Sequence, residues 1–322
     1  MSKKWFAASR ARVLTTLLVA GLLAACQTSP PRAPAPAPAP NPAPVQVDPS
    51  SQPTVPPVAA RPAPKPPRIG LALGGGAARG FAHIGVIQVL EAAGIRPDLV
   101  VGTSAGSLVA ALYASGKNGA ELEAVALTLD EGAITDWAFP SRGVIRGEAL
   151  ARFVRQHTGN LPIERQKLPL GIVATELDSG AGVLFQRGDT GSAVRASSSV
   201  PAVFQPVLIG GKEYVDGGLV SPVPVRYARQ MGAELVLAVD ISTPPDGRPT
   251  GDTMQVLLQT FAIMGKSINQ FELRSADLVV RPGLEGVSSA DFTSRVRAIR
   301  AGRDAAQALL PELKARIAAL TR

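Results

Sequence analysis

Proline density is the feature that most restricts what this chain can fold into. Of its 29 prolines in 322 residues, 16 lie between Pro30 and Pro67. Proline lacks an N–H and fixes φ, so this density excludes helix and sheet and favours extended polyproline II. Residues 26–68 are therefore predicted to be a disordered Pro/Ala-rich linker, either a semi-rigid spacer or a flexible tail of no required length. The folded domain is then expected within residues 69–322.

The N-terminal segment has the layout of a secretory signal. A basic start is followed by an apolar run over residues 13–25, which is too short to span a bilayer comfortably. The run ends in Leu23-Ala24-Ala25-Cys26, which resembles the lipobox of bacterial lipoproteins. That resemblance implies a signal peptide over residues 1–25 and a palmitate-type lipid on the Cys26 sulfur. An ordinary secretory signal that happens to contain a cysteine is the alternative.

The same resemblance carries an expectation about location. Gln27, rather than aspartate, follows Cys26, and this is similar to the sorting pattern for the outer membrane. We therefore expect a lipid-anchored protein of the cell envelope, held on the outer membrane through Cys26 and facing the periplasm. Cys26 is the single cysteine of the chain, so no internal disulfide can form.

The distribution of charge excludes nucleic acid as a partner. The formal net charge is +8, but residues 69–322 carry 25 basic and 24 acidic side chains. The excess of positive charge therefore lies almost entirely in the N-terminal segment and the linker. A nearly neutral domain without a basic stripe offers no electrostatic footprint for a polyanion.

Strand-like and helix-like runs alternate from Ile69 onward. Strands are predicted at residues 69–73, 99–101, 170–174, 183–186, 235–239 and 278–280. Helices are predicted at residues 81–93, 105–114 and 296–320. This alternation predicts an α/β fold, with a mostly parallel central sheet flanked by helices on both faces. Pro311 is expected to kink or split the last helix, whose apolar stripe favours a core position over a membrane-surface one.

A glycine-rich loop follows the first predicted strand and precedes a helix. It consists of Gly74, Gly75, Gly76, Ala77, Ala78, Arg79 and Gly80. Such a loop turns backbone N–H groups toward an anion, either a phosphate or the oxyanion of an acyl-transfer intermediate. A dinucleotide fingerprint starting at Gly74 would require glycine in place of Arg79, and a P-loop would require Gly-Lys-Ser/Thr.

The second predicted strand leads into a G-x-S-x-G motif. Gly102, Ser104 and Gly106 form its fixed positions, and a helix follows directly. This strand-to-helix context is the one that a nucleophile elbow requires, because small neighbours let the serine hydroxyl project from a sharp turn. Ser104 is therefore the candidate nucleophile.

The choice of base is restricted by the scarcity of histidine. The chain has two histidines, His83 and His157, and none follows position 157, where the usual hydrolase order would place one. Either an early histidine is recruited or a carboxylate acts as the base. Asp216, followed by Gly217 and Gly218, is the best carboxylate candidate, although aspartate before glycine is also an ordinary turn residue.

These motifs together resemble the patatin-like phospholipases. The glycine-rich loop, G-x-S-x-G and the later Asp-Gly-Gly occur in the family's order. Residues 196–206, Ala-Ser-Ser-Ser-Val-Pro-Ala-Val-Phe-Gln-Pro, are similar to the family's Ala-Ser-x-x-x-Pro-x-x-Phe-x-Pro segment. The resemblance implies a hydrolase domain over residues 69–322 with its motif-bearing core at residues 69–230. It also implies a Ser104–Asp216 catalytic dyad.

The resemblance further assigns the loop. The family's Gly-Gly-Gly-x-Arg-Gly falls on residues 75–80, where Ala77 replaces the third glycine. Gly75, Gly76 and Ala77 are the implied oxyanion donors, and an alanine is expected to be tolerated if its backbone angle is ordinary. Arg79 is expected to hold the loop rather than to meet a lipid phosphate. The implied supporting residues are Gly74, Ala78, Arg79, Gly80, Gly102, Gly106, Gly217 and Gly218.

The implied activity is that of a serine esterase on acyl esters of lipids or phospholipids, of the phospholipase A or lysophospholipase type. His83 is expected to pack under the glycine-rich loop, and Ser197, Ser198 and Ser199 are expected to pack beside the dyad. The mechanism requires no cofactor and no metal ion. Two alternatives stay open, an acyltransferase on the same dyad and a non-catalytic lipid-binding lipoprotein of the envelope.

Overall fold

The computed structural model describes residues 64–137, 142–242, 251–288 and 291–322. These residues belong to one compact unit, Arg61–Arg322. The predicted signal peptide, Cys26 and nearly all of the predicted linker lie outside the described residues.

The described residues form ten strands and eight α-helices. The strands are β1 (Ile69–Leu73), β2 (Leu99–Thr103), β3 (Gly143–Ile145), β4 (Leu170–Glu176), β5 (Gly182–Phe185), β6 (Ala202–Phe204), β7 (Val207–Ile209), β8 (Lys212–Asp216), β9 (Leu235–Val239) and β10 (Leu278–Val280). The helices are α1 (Ala82–Ala92), α2 (Ala105–Ala114), α3 (Gly119–Thr128), α4 (Glu148–His157), α5 (Thr190–Ser197), α6 (Val225–Gln230), α7 (Thr253–Glu272) and α8 (Arg295–Leu320).

Eight of the strands form the central sheet. Its order is β10-β9-β1-β2-β4-β8-β7, and β5 also pairs with β4. The five strands from β10 to β4 are parallel to one another. β5 and β8 run antiparallel to β4, and β7 runs antiparallel to β8. The prediction of a mostly parallel central sheet is confirmed, with an antiparallel part at one edge.

Helices cover both faces of this sheet, as predicted. Side chains alternate along a strand, so Leu71 and Leu73 belong to one apolar core while Ala72 belongs to another. The first core packs the sheet against α1, α2 and α8, and the second packs it against α6. Burial on both faces explains why the parallel strands appear in the sequence as continuous apolar runs.

The last helix differs from its prediction in one respect. α8 runs through Pro311 as a single helix, so the proline does not split it. Leu313 is buried beyond the proline and Ala306 before it, so packing holds the helix on both sides of the missing N–H. The apolar stripe of α8 lies in the core, where Ala298 and Ile299 are buried. None of the described helices has both the length and the apolar content needed to cross a bilayer.

Candidate active site

The sheet register brings two distant residues to one point. Thr103, the last residue of β2, pairs with Val173 of β4, and Asp216, the last residue of β8, pairs with Ala174. Val173 and Ala174 are consecutive residues of β4. The end of β2, which runs parallel to β4, therefore meets the end of β8, which runs antiparallel to it. Ser104 follows β2 directly, so it meets Asp216 although 112 positions separate them.

The two predicted dyad side chains are in direct contact. Ser104 Oγ donates a hydrogen bond to Asp216 Oδ2 at 2.8 Å. The other carboxylate oxygen, Oδ1, accepts from the Gly218 N–H at 2.7 Å. Both carboxylate oxygens are therefore fixed, one by the hydroxyl and one by the turn that follows β8.

A sharp turn presents the Ser104 hydroxyl. Ser104 has φ of +52°, the left-handed region that non-glycine residues enter at a cost. The turn also requires close packing against β1, since a Cβ on Gly106 would lie 2.1 Å from the Leu73 carbonyl oxygen. The G-x-S-x-G motif thus forms the elbow that the sequence predicted.

Serines of the α5 segment hold the backbone of the dyad. The Ser104 N–H donates to Ser197 Oγ at 2.8 Å, and this hydroxyl donates in turn to the Val173 carbonyl at 2.6 Å. The Asp216 N–H donates to the Ser199 carbonyl at 2.9 Å. Ser197 and Ser199 therefore lie against the dyad backbone, while Ser198 lines a neighbouring cavity.

Burial changes the acid–base character of Asp216. The side chain is buried, and desolvation raises its pKa to about 6, against the lowering effect of its hydrogen bonds from Gly218 and Ser104. An ordinary aspartate has a pKa of about 3.9 and is a poor base for a hydroxyl. Asp216 is thus a stronger base than an exposed aspartate, yet it is still ionised at neutral pH.

The glycine-rich loop offers two open amides beside Ser104. The Gly74 N–H donates to the Val239 carbonyl at 3.0 Å, and the Gly75 N–H donates to the Pro222 carbonyl at 2.9 Å. Among the described residues, the N–H groups of Gly76 and Ala77 have no protein acceptor. Of the three predicted oxyanion donors, Gly76 and Ala77 are therefore the ones that are open to a ligand.

The condition on which an alanine was expected to be tolerated at position 77, an ordinary backbone angle, is not met. Its φ is +49°, in the left-handed region where glycine is favoured and a Cβ is strained. We expect Ala77→Gly to raise the free energy of unfolding by about 1 kcal/mol and Tm by about 2–4 °C, measured by thermal denaturation.

A matched substitution of opposite sign controls this prediction. Ala124 lies exposed inside α3, where glycine costs about 1 kcal/mol relative to alanine. Ala124→Gly should therefore lower Tm. An Ala77→Gly protein that melts below the wild type would show that the left-handed angle carries no relievable strain.

His83 lies under the glycine-rich loop, where the sequence predicted it. It is fully buried, and its Nε2–H donates to the Gly74 carbonyl at 2.8 Å. Burial lowers its pKa to about 4, so the ring is neutral at pH 7. His157 is at the end of α4, where Nδ1 bonds the Phe153 carbonyl at 2.9 Å. Neither ring is hydrogen-bonded to Ser104.

Arg79 is also buried beside the loop. Burial lowers the pKa of its guanidinium, while the nearby carboxylates of Asp240 and Glu285 raise it. Arg79 is therefore a buried cation in the field of two carboxylates. The predicted structural role of Arg79 is consistent with this position.

Two cavities border Ser104. The first, called here the apolar cavity, has a volume of ≈ 280 Å³, and the second, called the α7 cavity, has a volume of ≈ 270 Å³. The apolar cavity is lined by side chains from several separate elements, including Phe81, Leu108, Val109, Leu129, Leu150 and Phe292. The α7 cavity includes Asp216 and is closed on one side by Leu258, Phe261 and Met264 of α7. A larger cavity of ≈ 790 Å³, beside Gln88 and Lys167, does not include the dyad.

Sequence reasoning missed the residues that form these cavities. No motif marks Leu108, Leu129 or Phe292, which are ordinary apolar residues brought together by the fold. The motifs were sufficient to predict the reacting groups. The residues of the binding surface belong to no sequence motif and could not be predicted.

Comparison with known proteins places the chain in a family. Residues 71–229 match the family described as patatin-like phospholipase. An uncharacterized NTE family protein of Mycobacterium tuberculosis is 37% identical over 179 residues, 55% of this chain and 49% of the relative. The chain belongs to the patatin-like phospholipase family. The lipoprotein form stays a prediction, because Cys26 lies outside the described residues.

Other relatives of this patatin-like chain are more distant or longer. A second NTE family protein of Mycobacterium tuberculosis is 30% identical over 271 residues, 75% of this chain and 46% of that protein. Patatin-like phospholipase domain-containing protein 6 of Mus musculus is 34% identical over 183 residues, 54% of this chain and 14% of that protein. The chain spans about half the length of the NTE family relatives it matches, or less.

A solved structure shares the fold. VipD from Legionella pneumophila superposes with a TM-score of 0.54 at 15% identity, covering 77% of this chain and 68% of that one. At this identity the likeness concerns the fold alone, and it agrees with the α/β architecture of the patatin-like chain.

Proposed function

We propose that this protein is a serine esterase that hydrolyses acyl esters of phospholipids or lysophospholipids through an acyl-enzyme on Ser104. One observation carries the proposal: the 2.8 Å hydrogen bond from Ser104 Oγ to the buried carboxylate of Asp216. The open N–H groups of Gly76 and Ala77 beside it, and the family membership, support the same conclusion.

In the proposed first half-reaction, Asp216 Oδ2 takes the proton of Ser104 as Oγ attacks the ester carbonyl carbon. The N–H groups of Gly76 and Ala77 stabilise the resulting oxyanion, each donor contributing about 3 kcal/mol. The tetrahedral intermediate then breaks its bond to the leaving oxygen, which takes the proton from Asp216. This step leaves an acyl ester on Ser104 and releases the alcohol, a lysolipid when the substrate is a diacyl phospholipid.

Water completes the cycle. Asp216 removes a proton from a water molecule whose oxygen attacks the acyl-enzyme carbonyl, and the same two amides hold the second oxyanion. Collapse of this intermediate expels Ser104 Oγ, which recovers its proton from Asp216, and a fatty acid leaves. We assign the acyl chain to the apolar cavity, because Leu108, Val109 and Phe292 offer it a hydrocarbon surface. The alcohol part would then occupy the α7 cavity.

A fluorophosphonate probe tests the nucleophile directly. We expect one adduct, located on the Ser104 peptide by mass spectrometry, and no adduct in Ser104→Ala. Ser115→Ala is the matched control, since its hydroxyl only bonds the Leu112 carbonyl at the end of α2. Equal labelling of Ser104→Ala and wild type would overturn the proposal. Product analysis with added lysolipid separates hydrolysis, which releases fatty acid, from acyl transfer, which makes diacyl lipid.

We further propose that a lipid on Cys26 holds the enzyme on the outer membrane, facing the periplasm. The lipobox-like Leu23-Ala24-Ala25-Cys26 supports this, and a surface anchor would raise the effective concentration of the enzyme near its lipid substrate. Labelling cells with palmitate checks the anchor, and unchanged incorporation in Cys26→Ser would contradict it.

A further inference from the structure

Helix α7 exposes an apolar face. It is 20 residues long, and its only buried residues are Asn269 and Glu272. Val256, Ile263 and Phe271 are exposed by 50%, 51% and 67%. Val256 and Ile263 are seven positions apart, so they lie on one side of the helix two turns from each other.

The composition of α7 differs from that of other exposed surfaces. Lys266 is the only charged residue within positions 253–270. By contrast, α8 carries eight charged residues over its 26 positions, as expected for a helix with one face in water. A long exposed face with apolar side chains and almost no charge marks a contact surface.

This face is continuous with the candidate active site. Leu258, Phe261 and Met264 line the cavity that contains Asp216, and Met264 is itself 46% exposed. A surface that contacts α7 therefore lies at the mouth of the cavity next to the dyad.

The C-terminal end of α7 is fixed to the support of the dyad. Glu272 accepts a hydrogen bond from Ser221 Oγ at 3.2 Å and forms an ion pair with Arg226 at 3.2 Å. The Ser221 carbonyl accepts from Thr103 Oγ1 at 2.9 Å, and Thr103 directly precedes Ser104. The helix is thus held in a defined position relative to the nucleophile.

We infer that α7 is the element that seats the protein on a lipid surface, with Val256, Ile263 and Phe271 inserted among acyl chains and the α7 cavity opening toward the lipid. The inference rests on the proposed function for the nature of the substrate. The charges favour lipid over a second copy of the chain. Within α7 itself the only carboxylate is that of Glu272, which is paired with Arg226. Lys266 and Arg274, whose guanidinium lies 5.3 Å from the Phe271 ring, suit phosphate head groups.

The test compares two double variants of the full chain that change charge equally. Val256→Asp/Ile263→Asp alters the α7 face without touching the cavity lining. Leu127→Asp/Leu208→Asp is the control, since these side chains are 49% and 69% exposed and line neither cavity beside Ser104. All three proteins, the two variants and the chain without them, which serves as wild type in this test, carry Cys26→Ser, so that no lipid on that residue holds them on a vesicle. Each is assayed on phosphatidylcholine vesicles and on a dissolved short-chain ester.

We expect the α7 variant to lose about tenfold per substitution, about 100-fold in all, in the rate on vesicles. Its rate on the dissolved ester should stay within about twofold of wild type, and the control should keep both rates. Equal vesicle rates in the α7 variant and the control would overturn the inference. A wild-type dimer that becomes monomeric in the α7 variant, by sedimentation equilibrium, would also overturn it, because a second copy would then cover the face.

Failure of the proposed function gives a different result. Wild-type protein inactive on both substrates would contradict the esterase but not the lipid contact. The contact is then read by flotation of the same three proteins with phosphatidylcholine vesicles, where all share the same N-terminal segment. Lower flotation of the α7 variant than of the control supports the contact, and equal flotation overturns it.

Discussion

Asp216→Asn is expected to lower kcat/KM for a dissolved short-chain acyl ester by about 10³-fold. The amide is nearly isosteric with the carboxylate and can still accept from the Gly218 N–H, so the site should keep its shape. It cannot take the proton of Ser104, so nucleophilic attack loses its base. Steady-state kinetics at pH 8 gives the measurement, together with a circular dichroism spectrum to confirm folding.

A histidine variant provides the control for this loss. His157 lies at the end of α4 and bonds only its own helix, so His157→Asn should keep its activity within about twofold. Full activity of Asp216→Asn would contradict the assignment of the base. His83, the other histidine, would then be the next candidate for the base, and its ring donates a hydrogen bond to the Gly74 carbonyl.

The second large effect concerns pH. A base acts in its ionised form, so kcat/KM of the wild type should rise with pH up to about 6 and then become constant. Between pH 7 and pH 4 the fall should be about 100-fold, tenfold for each pH unit below the pKa. An aspartate at its ordinary pKa would give constant kcat/KM down to about pH 4, and that profile would contradict the role of burial.

The free energy of unfolding distinguishes the titration of Asp216 from acid unfolding. Protonation of Asp216 lowers activity but stabilises the fold, whereas acid unfolding lowers both. The folded-state pKa of Asp216 is raised, so the neutral acid fits the buried site better than the carboxylate does. Its contribution to stability is complete below the unfolded pKa of about 3.9 and is lost as pH rises through about 6. At pH 8, Asp216→Asn should therefore have a higher Tm than wild type and a free energy of unfolding higher by up to roughly 3 kcal/mol. Near pH 4 the two proteins should be equally stable.

Much of the central fold could be predicted from the sequence. The predicted bounds of β1, α2, β9 and β10 agree with the structure residue for residue. These strands are buried on both faces, so each is a continuous apolar run with glycine or a charged residue at its ends. The reacting groups were also predictable, because an elbow and an oxyanion loop require small residues at fixed spacings.

Helix α7 could not be predicted in the same way. Its apolar residues occupy the outer side as well as the inner one, so no single face shows the period of an amphipathic helix. β7 is three residues long and partly exposed, and the antiparallel pairing of β8 with β4 joins residues that are distant in sequence. The cavities depend on such contacts too, which explains why only the chemistry of the site, and not its walls, could be predicted.

Ser104 and Asp216 meet because β2 and β8 both end beside β4, so activity depends on the register in which these strands pair. A shift of β8 by a single residue would move position 216 about 3.3 Å and turn its side chain to the opposite side of the sheet. Misaligned molecules would then be inactive rather than weakly active. Esterase turnover during refolding would consequently report the fraction of chains whose strands have aligned, and it should appear in step with the last cooperative phase of assembly.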